Sequence, residues 1–148
     1  MPATPRRDLA AMIVPLGRAL TAAELPLLHD HGLTMWAYSV LLRLDDRPLR
    51  SQAALAEAIG ADKTRIIDVL ADLEERGLIS RTSDPADRRV RLLALTPEGH
   101  RVRTAAQSAI QSREDRLLAR HLTPAQRTTF LEALATLSTL PPDTLTTP

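Results

Sequence analysis

The sequence predicts a mainly α-helical chain with one small β-hairpin, an α+β arrangement. Three observations carry that prediction. Two short helical segments meet at a tight turn, Gly60-Ala61, which is the pattern of a helix-turn-helix. After Gly77 the apolar period changes from helical to strand-like, and a polar, turn-forming stretch divides the new pattern in two. Apolar stripes at helical spacing flank this middle on both sides. Together they describe a winged helix-turn-helix with extra helices at each end.

In chain order, Leu9, Met12, Ile13, Leu16 and Leu20 fall on one helical face. Pro15 lies within it and predicts a kink or a late start. Thr21-Ala22-Ala23-Glu24 has capping-box spacing, so a second helix is expected to begin there. His29-Asp30-His31-Gly32 should end it. Thr34 suits an N-cap for a helix through about Leu44, with Trp36, Val40, Leu41 and Leu44 inward. Asp45-Asp46-Arg47-Pro48 reads as a turn.

Ser51 caps a short helix carrying Leu55, Ala56 and Ile59, and Gly60 stops it. Asp62 caps the next, with Ile66, Val69, Leu70 and Leu73 on its buried face, and Gly77 ends it. Leu78, Ile79 and Arg81, then Val90, Leu92, Leu93 and Leu95, read as two strands around the polar loop 82–89. Thr96-Pro97-Glu98 starts a long helix: an N-cap, a proline at the first position, and an acid at the positive dipole end. Val102, Ala106, Ala109, Ile110 and Leu117 form its stripe, which runs to about Arg120. Thr123-Pro124-Ala125-Gln126 is a capping box for a last helix carrying Phe130, Leu131, Leu134 and Leu137. Pro141-Pro142 should stop it and leave a loose tail.

Composition narrows the function. At 148 residues, with 44% hydrophobic and 25% charged residues, this is one globular domain rather than a disordered chain. No run reaches the roughly 18 unbroken apolar residues of a membrane span, so no membrane role is expected. Pro15 and Arg18 interrupt the N-terminal apolar run, and no clean cleavage site follows, so no signal peptide is read. A cytoplasmic location is the default. With no cysteine, disulfides, thiol chemistry and Cys-based zinc sites are excluded. There is no GxSxG elbow, phosphate-binding glycine loop or HExxH, so the chain does not read as an enzyme, and no cofactor is expected. Net charge is only +1, but residues 76–103 hold seven arginines against three acids.

Leu55-Ala56-Glu57-Ala58-Ile59-Gly60 followed by Leu73-Glu74-Glu75-Arg76-Gly77-Leu78-Ile79 resembles the MarR family of bacterial transcriptional regulators. The more specific match is Asp84-Pro85-Ala86-Asp87-Arg88-Arg89 followed by Leu95-Thr96-Pro97-Glu98-Gly99, which resembles that family's wing and the start of its dimerisation helix. The resemblance covers about Asp8 to Leu140. It implies a DNA-binding lobe over about 34–96, dimerisation helices over about 8–32 and 97–140, and a loose tail over 141–148.

A recognition helix enters the major groove N-terminal end first, which nominates Lys63, Thr64, Arg65, Ile67 and Asp68. Arg65 suits a guanine edge, Thr64 a thymine methyl or a phosphate, and Asp68 a cytosine amino group or Arg65 itself. Each of these charges also reads as a plain solvated helix surface. A hairpin inserts arginine into the narrow minor groove, which nominates Arg88 and Arg89, with Arg81 extending the positive patch. By resemblance, Asp87 braces the wing arginine. Ser51 and Gln52 carry donors suited to a phosphate, although Ser51 also suits a simple cap.

The flanking stripes have no obvious partner in a small lobe, and a homodimer would bury them. The resemblance implies that dimer, reading a double-stranded palindromic operator. It also implies a small aromatic or phenolic effector, for which Met12, Leu16, His29, His31, Trp36 and Tyr38 are candidate lining residues. Trp36 reads more readily as core than as pocket lining, and His29-Asp30-His31 alone is weak as a metal site. The competing expectation is a winged helix that binds protein and no DNA.

Overall fold

A computed structural model describes residues 5–46 and 50–147. The elements run α1 (Leu9–Asp30), α2 (Met35–Asp46), β1 (Arg50–Ser51), α3 (Gln52–Ile59), α4 (Lys63–Glu75), β2 (Ile79–Ser83), β3 (Arg91–Leu95), α5 (Pro97–His121), α6 (Pro124–Ser138) and α7 (Pro142–Thr146). Two compact units are formed, one through Ala109 and one from Ile110 onward, the division falling inside α5.

In the first unit, a core of Leu28, Val40, Leu41, Leu44, Leu55, Ile66, Leu70, Leu73, Ile79 and Leu93 is almost fully buried. It joins the end of α1 to α2, α3, α4 and the sheet. The sheet is antiparallel in the order β1-β3-β2. Ile79 pairs with Leu95 and Arg81 with Leu93, so the hairpin register places Leu93 and Ile79 against the helices.

Several expectations need correction. Thr21 does not open a new helix: α1 runs unbroken through Pro15 and Pro26. Pro15 has no N–H to give the Ala11 carbonyl, and the Arg7 guanidinium donates to that oxygen instead at 3.2 Å. The helix ends where expected, at Gly32, with φ +70° and Leu33 N–H donating to the Leu28 carbonyl at 2.8 Å. Trp36 is not inward; α2 buries Ala37, Tyr38, Val40, Leu41 and Leu44 and leaves Trp36 half-exposed. Asp45 and Asp46 belong to α2 rather than to a turn, and Arg47 and Pro48 lie outside the described residues. A third strand, β1, was not foreseen; two residues are too few to show a period. The described part of the tail includes α7, five exposed residues begun by Pro142 and Asp143.

Only the C-terminal end of α1 joins the core. Leu9, Met12, Ile13, Val14, Leu16 and Leu25 are all exposed. By length and composition this helix also meets the measure of a membrane span, which a search for unbroken apolar runs does not register.

The start of α5 shows why its opening residues have the identities they do. Thr96 Oγ1 donates to the Gly77 carbonyl at 2.6 Å and accepts from Gly99 N–H at 3.0 Å. A Cβ on Gly99 would lie 1.9 Å from the Leu78 carbonyl oxygen, so only glycine lets the helix approach this closely. Glu98 holds Arg101, its Oε2 accepting from Nε at 2.9 Å. At α2's end, Asp45 receives Arg103 Nη2 at 2.7 Å and His100 Nδ1 at 3.2 Å, joining α2 to α5 within the same unit.

In the second unit, α6 begins with a complete capping box. Thr123 Oγ1 accepts from Gln126 N–H, and Gln126 Oε1 accepts from Thr123 N–H. Phe130, Leu131, Leu134 and Leu137 are exposed along it.

Candidate nucleic-acid interface

The turn between α3 and α4 is built from its caps. Ser51 Oγ accepts from Ala54 N–H at 3.2 Å and starts α3. Gly60, at φ +70°, ends it, and Ala61 N–H closes onto the Ala56 carbonyl at 3.0 Å. Asp62 Oδ1 then accepts from Arg65 N–H at 2.7 Å and starts α4. Ile66, Leu70 and Leu73 anchor α4 in the core. That anchoring turns Lys63, Thr64, Arg65, Ile67 and Asp68 outward, all exposed. Ile67 is 51% exposed, an apolar side chain held in water among donors and charges. Asp62, Thr64, Arg65, Asp68 and Val69 border a shallow depression here.

Two acids further along α4, Asp72 and Glu74, are engaged. Asp72 lies 3.4 Å from Arg76, and Glu74 Oε2 lies 2.8 Å from Arg81 Nε. Arg81 also donates from Nη1 to Gln52 Oε1 at 3.4 Å. The Arg81 side chain is only 19% exposed. It therefore ties β2 to α4 and to the start of α3, and Gln52 keeps only its amide donors for an outside partner. This tie was invisible in the sequence, since nothing local links residues 52, 74 and 81.

The hairpin loop is closed at its base by Asp84 N–H to the Val90 carbonyl at 2.9 Å and Val90 N–H to the Asp87 carbonyl at 2.9 Å. Asp84 Oδ1 also accepts from Ala86 N–H at 2.8 Å. At the tip, Asp87 accepts from Arg89 three times: from Nε at 3.1 Å, from Nη2 at 3.3 Å and from the backbone N–H at 3.1 Å. The Arg89 side chain is 91% exposed, so its orientation comes from Asp87 rather than from packing. The same side-chain hydrogen bonds, with the backbone one second, hold the Asp87 carboxyl below its ordinary range. Arg88 is exposed beside it, and Arg91 donates from Nη1 to Ser83 Oγ at 3.4 Å across the strands.

The residues nominated for an effector stand in different surroundings. Met12, Leu16 and His29 are exposed on α1, and His31 Nδ1 is engaged by the Leu27 carbonyl at 2.8 Å. Tyr38 is buried in the core. Trp36 lies beneath Arg65, whose guanidinium carbon is 5.5 Å from the ring centroid. Among the described residues, no three His, Asp or Glu gather as a metal-binding group.

A MarR family model matches residues 31–90, which is the span from the end of α1 through the hairpin tip. A protein named as a transcriptional regulatory protein for the hcr operon of Thauera aromatica is 33% identical over 129 residues, covering 87% of this chain and 73% of that one. The transcriptional regulator HosA of Escherichia coli O111:H- is 42% identical over 74 residues; that match spans 50% of this chain and 55% of HosA. The crystal structure of CouR from Rhodococcus jostii RHA1 bound to p-coumaroyl-CoA has the same fold, with a TM-score of 0.70 and 28% identity over 90% of this chain and 94% of that one.

Proposed function

The chain belongs to the MarR family of transcriptional regulators, and from that premise we propose that it is a homodimeric repressor reading a palindromic operator in double-stranded DNA. The observation that carries this reading is the first two turns of α4. Lys63, Thr64, Arg65, Ile67 and Asp68 stand exposed on a helix whose opposite face is fixed in the core. They combine a bidentate donor, a hydroxyl, an apolar contact and an acceptor, which is the set a major groove can discriminate.

In this reading Arg89, oriented by Asp87, enters the minor groove, and Arg88 meets phosphate. Ser51 and the Gln52 amide approach phosphate at the start of α3. Arg81 supports Gln52 from within the lobe. The exposed apolar faces of α1 and α6 are the dimer surface, and two copies set the reading helices about one DNA turn apart. The protein would act in the cytoplasm by blocking a promoter. CouR was crystallised with p-coumaroyl-CoA, and in this chain an aromatic effector that favours the DNA-incompetent dimer would relieve repression.

Selection of bound duplexes from a random library tests this. A two-fold motif with half-sites one turn apart is expected, with affinity falling steeply as salt rises. Recovery of no motif would overturn the reading in favour of a winged helix that binds protein. A solution mass near 16.2 kDa at micromolar concentration would overturn the dimer. Flotation of the chain with lipid vesicles would reassign the apolar face of α1 to a membrane.

A further inference from the structure

Arg65 is the strongest base-reading candidate on α4, and its side chain is not free to wander. Its guanidinium lies over the face of Trp36, 5.5 Å from the ring centroid, a cation–π contact. Trp36 is the sole tryptophan in the chain and stands in the first turn of α2, half-exposed, while its neighbours Ala37 and Tyr38 are buried. The guanidinium itself makes no hydrogen bond or ion pair with any described residue; the Asp62 carboxylate is engaged by the Arg65 backbone N–H instead.

The chemistry of that arrangement is specific. A guanidinium offers five N–H donors in its own plane and none along its faces. A ring against one face would leave the donor edge free, and the in-plane fork is what pairs with O6 and N7 of guanine. The cation–π contact also removes rotamers that an unsupported arginine would lose on binding. Asp62 and Asp68 border the same depression as Arg65, so without the ring carboxylates are at hand as alternative partners for the cation.

We propose that Trp36 is a positioning residue for DNA readout: it holds Arg65 with its donor edge outward and so sets the base preference where Arg65 meets the operator. This rests on the DNA-binding reading above. The test is random-duplex selection and titration with the full chain as wild type, Trp36→Leu, Trp36→Phe, Arg65→Ala and the Trp36→Leu/Arg65→Ala double variant.

Trp36→Leu is expected to lose about two- to fivefold of preference for the favoured base at one position per half-site, the same position that Arg65→Ala relaxes. Trp36→Phe should fall between, because it keeps an aromatic face. Affinity for random DNA and its salt slope should not move, and Trp36→Leu should add nothing in the Arg65→Ala background. In the free protein, Arg65→Ala should change the emission of Trp36. If Trp36→Leu does not fold, the Phe variant and the emission change decide alone. Equal weakening on all duplexes, or a further loss in the Arg65→Ala background, makes Trp36 merely structural and overturns the proposal. A wild-type motif that both Trp36 variants leave intact sinks this inference alone; a wild type that selects no motif sinks the DNA reading and this inference with it.

Discussion

The winged-helix lobe and the helices that flank it are written in the same aliphatic residues, and they end in opposite environments. In the lobe, Leu41, Leu44, Leu55, Ile66, Leu70, Leu73 and Leu93 are at most 1% exposed. On α1 and α6, Leu9, Ile13, Leu16, Leu131, Leu134 and Leu137 are 43% to 57% exposed. Periodicity determines that a face is apolar, and it does not determine what covers that face. In the lobe the cover comes from the same chain, within the Gly60 and Gly77 turns. On the flanking helices it has to come from elsewhere, and the reading proposed above assigns it to a second copy.

The largest effect should come from breaking the flanking side of that contrast. Ile13→Glu with Leu134→Glu would bury charge at a dimer surface, at a cost of roughly 3 kcal/mol or more, a hundredfold or more in the dimer dissociation constant. Analytical ultracentrifugation should then report 16.2 kDa, while the lobe keeps its own thermal transition. A double variant that remains dimeric would place the interface elsewhere.

Gly99→Ala breaks the lobe side. The added methyl would meet the Leu78 carbonyl, and displacing that backbone costs about 3 kcal/mol. Chemical denaturation should show a lower midpoint at unchanged slope. Smaller still is Arg81→Ala, which removes the bridge between Glu74 and Gln52. A loss of about 1–2 kcal/mol is expected, with weaker binding of specific duplexes, because the start of α3 loses its tie. A stability indistinguishable from wild type would show the bridge to be ornamental.

The smallest effect on stability belongs to the hairpin tip. Arg89 holds Asp87 below its ordinary 3.8, so the folded state favours the carboxylate. The brace is therefore complete above about pH 4 and is lost as pH falls through the lowered value. Asp87→Asn should lower the melting temperature only slightly at pH 7, yet broaden the Arg89 Nε–H resonance and reduce operator affinity. A sharp resonance in the Asn variant would show that the loop orients Arg89 without the carboxylate.

The lobe was legible because its signals are local. Ser51, Gly60, Asp62, Gly77 and Thr96 each fix a boundary through a cap or a positive φ within four residues of themselves. The exposed face of α4 followed from the burial of Ile66, Leu70 and Leu73. What escaped was of two kinds. A nearby side chain overrode the proline rule in α1, where Arg7, four residues before Ala11, satisfies the carbonyl that Pro15 strands and one helix replaces two. Long-range pairs have no sequence period at all, so Arg81 read as one more groove cation rather than a tie, and Trp36 read as core rather than as the platform beneath Arg65.

The contact between Gly99 and Leu78 has a mechanical consequence. Leu78 follows directly on the turn that closes α4, and Gly99 stands in the first turn of α5, with no side chain cushioning the two backbones. Thr96 pins the same joint through the Gly77 carbonyl. A hinge with no slack of this kind passes on every degree of rotation, so whatever tilts the opening turns of the long shaft must swing α4 and the hairpin with it.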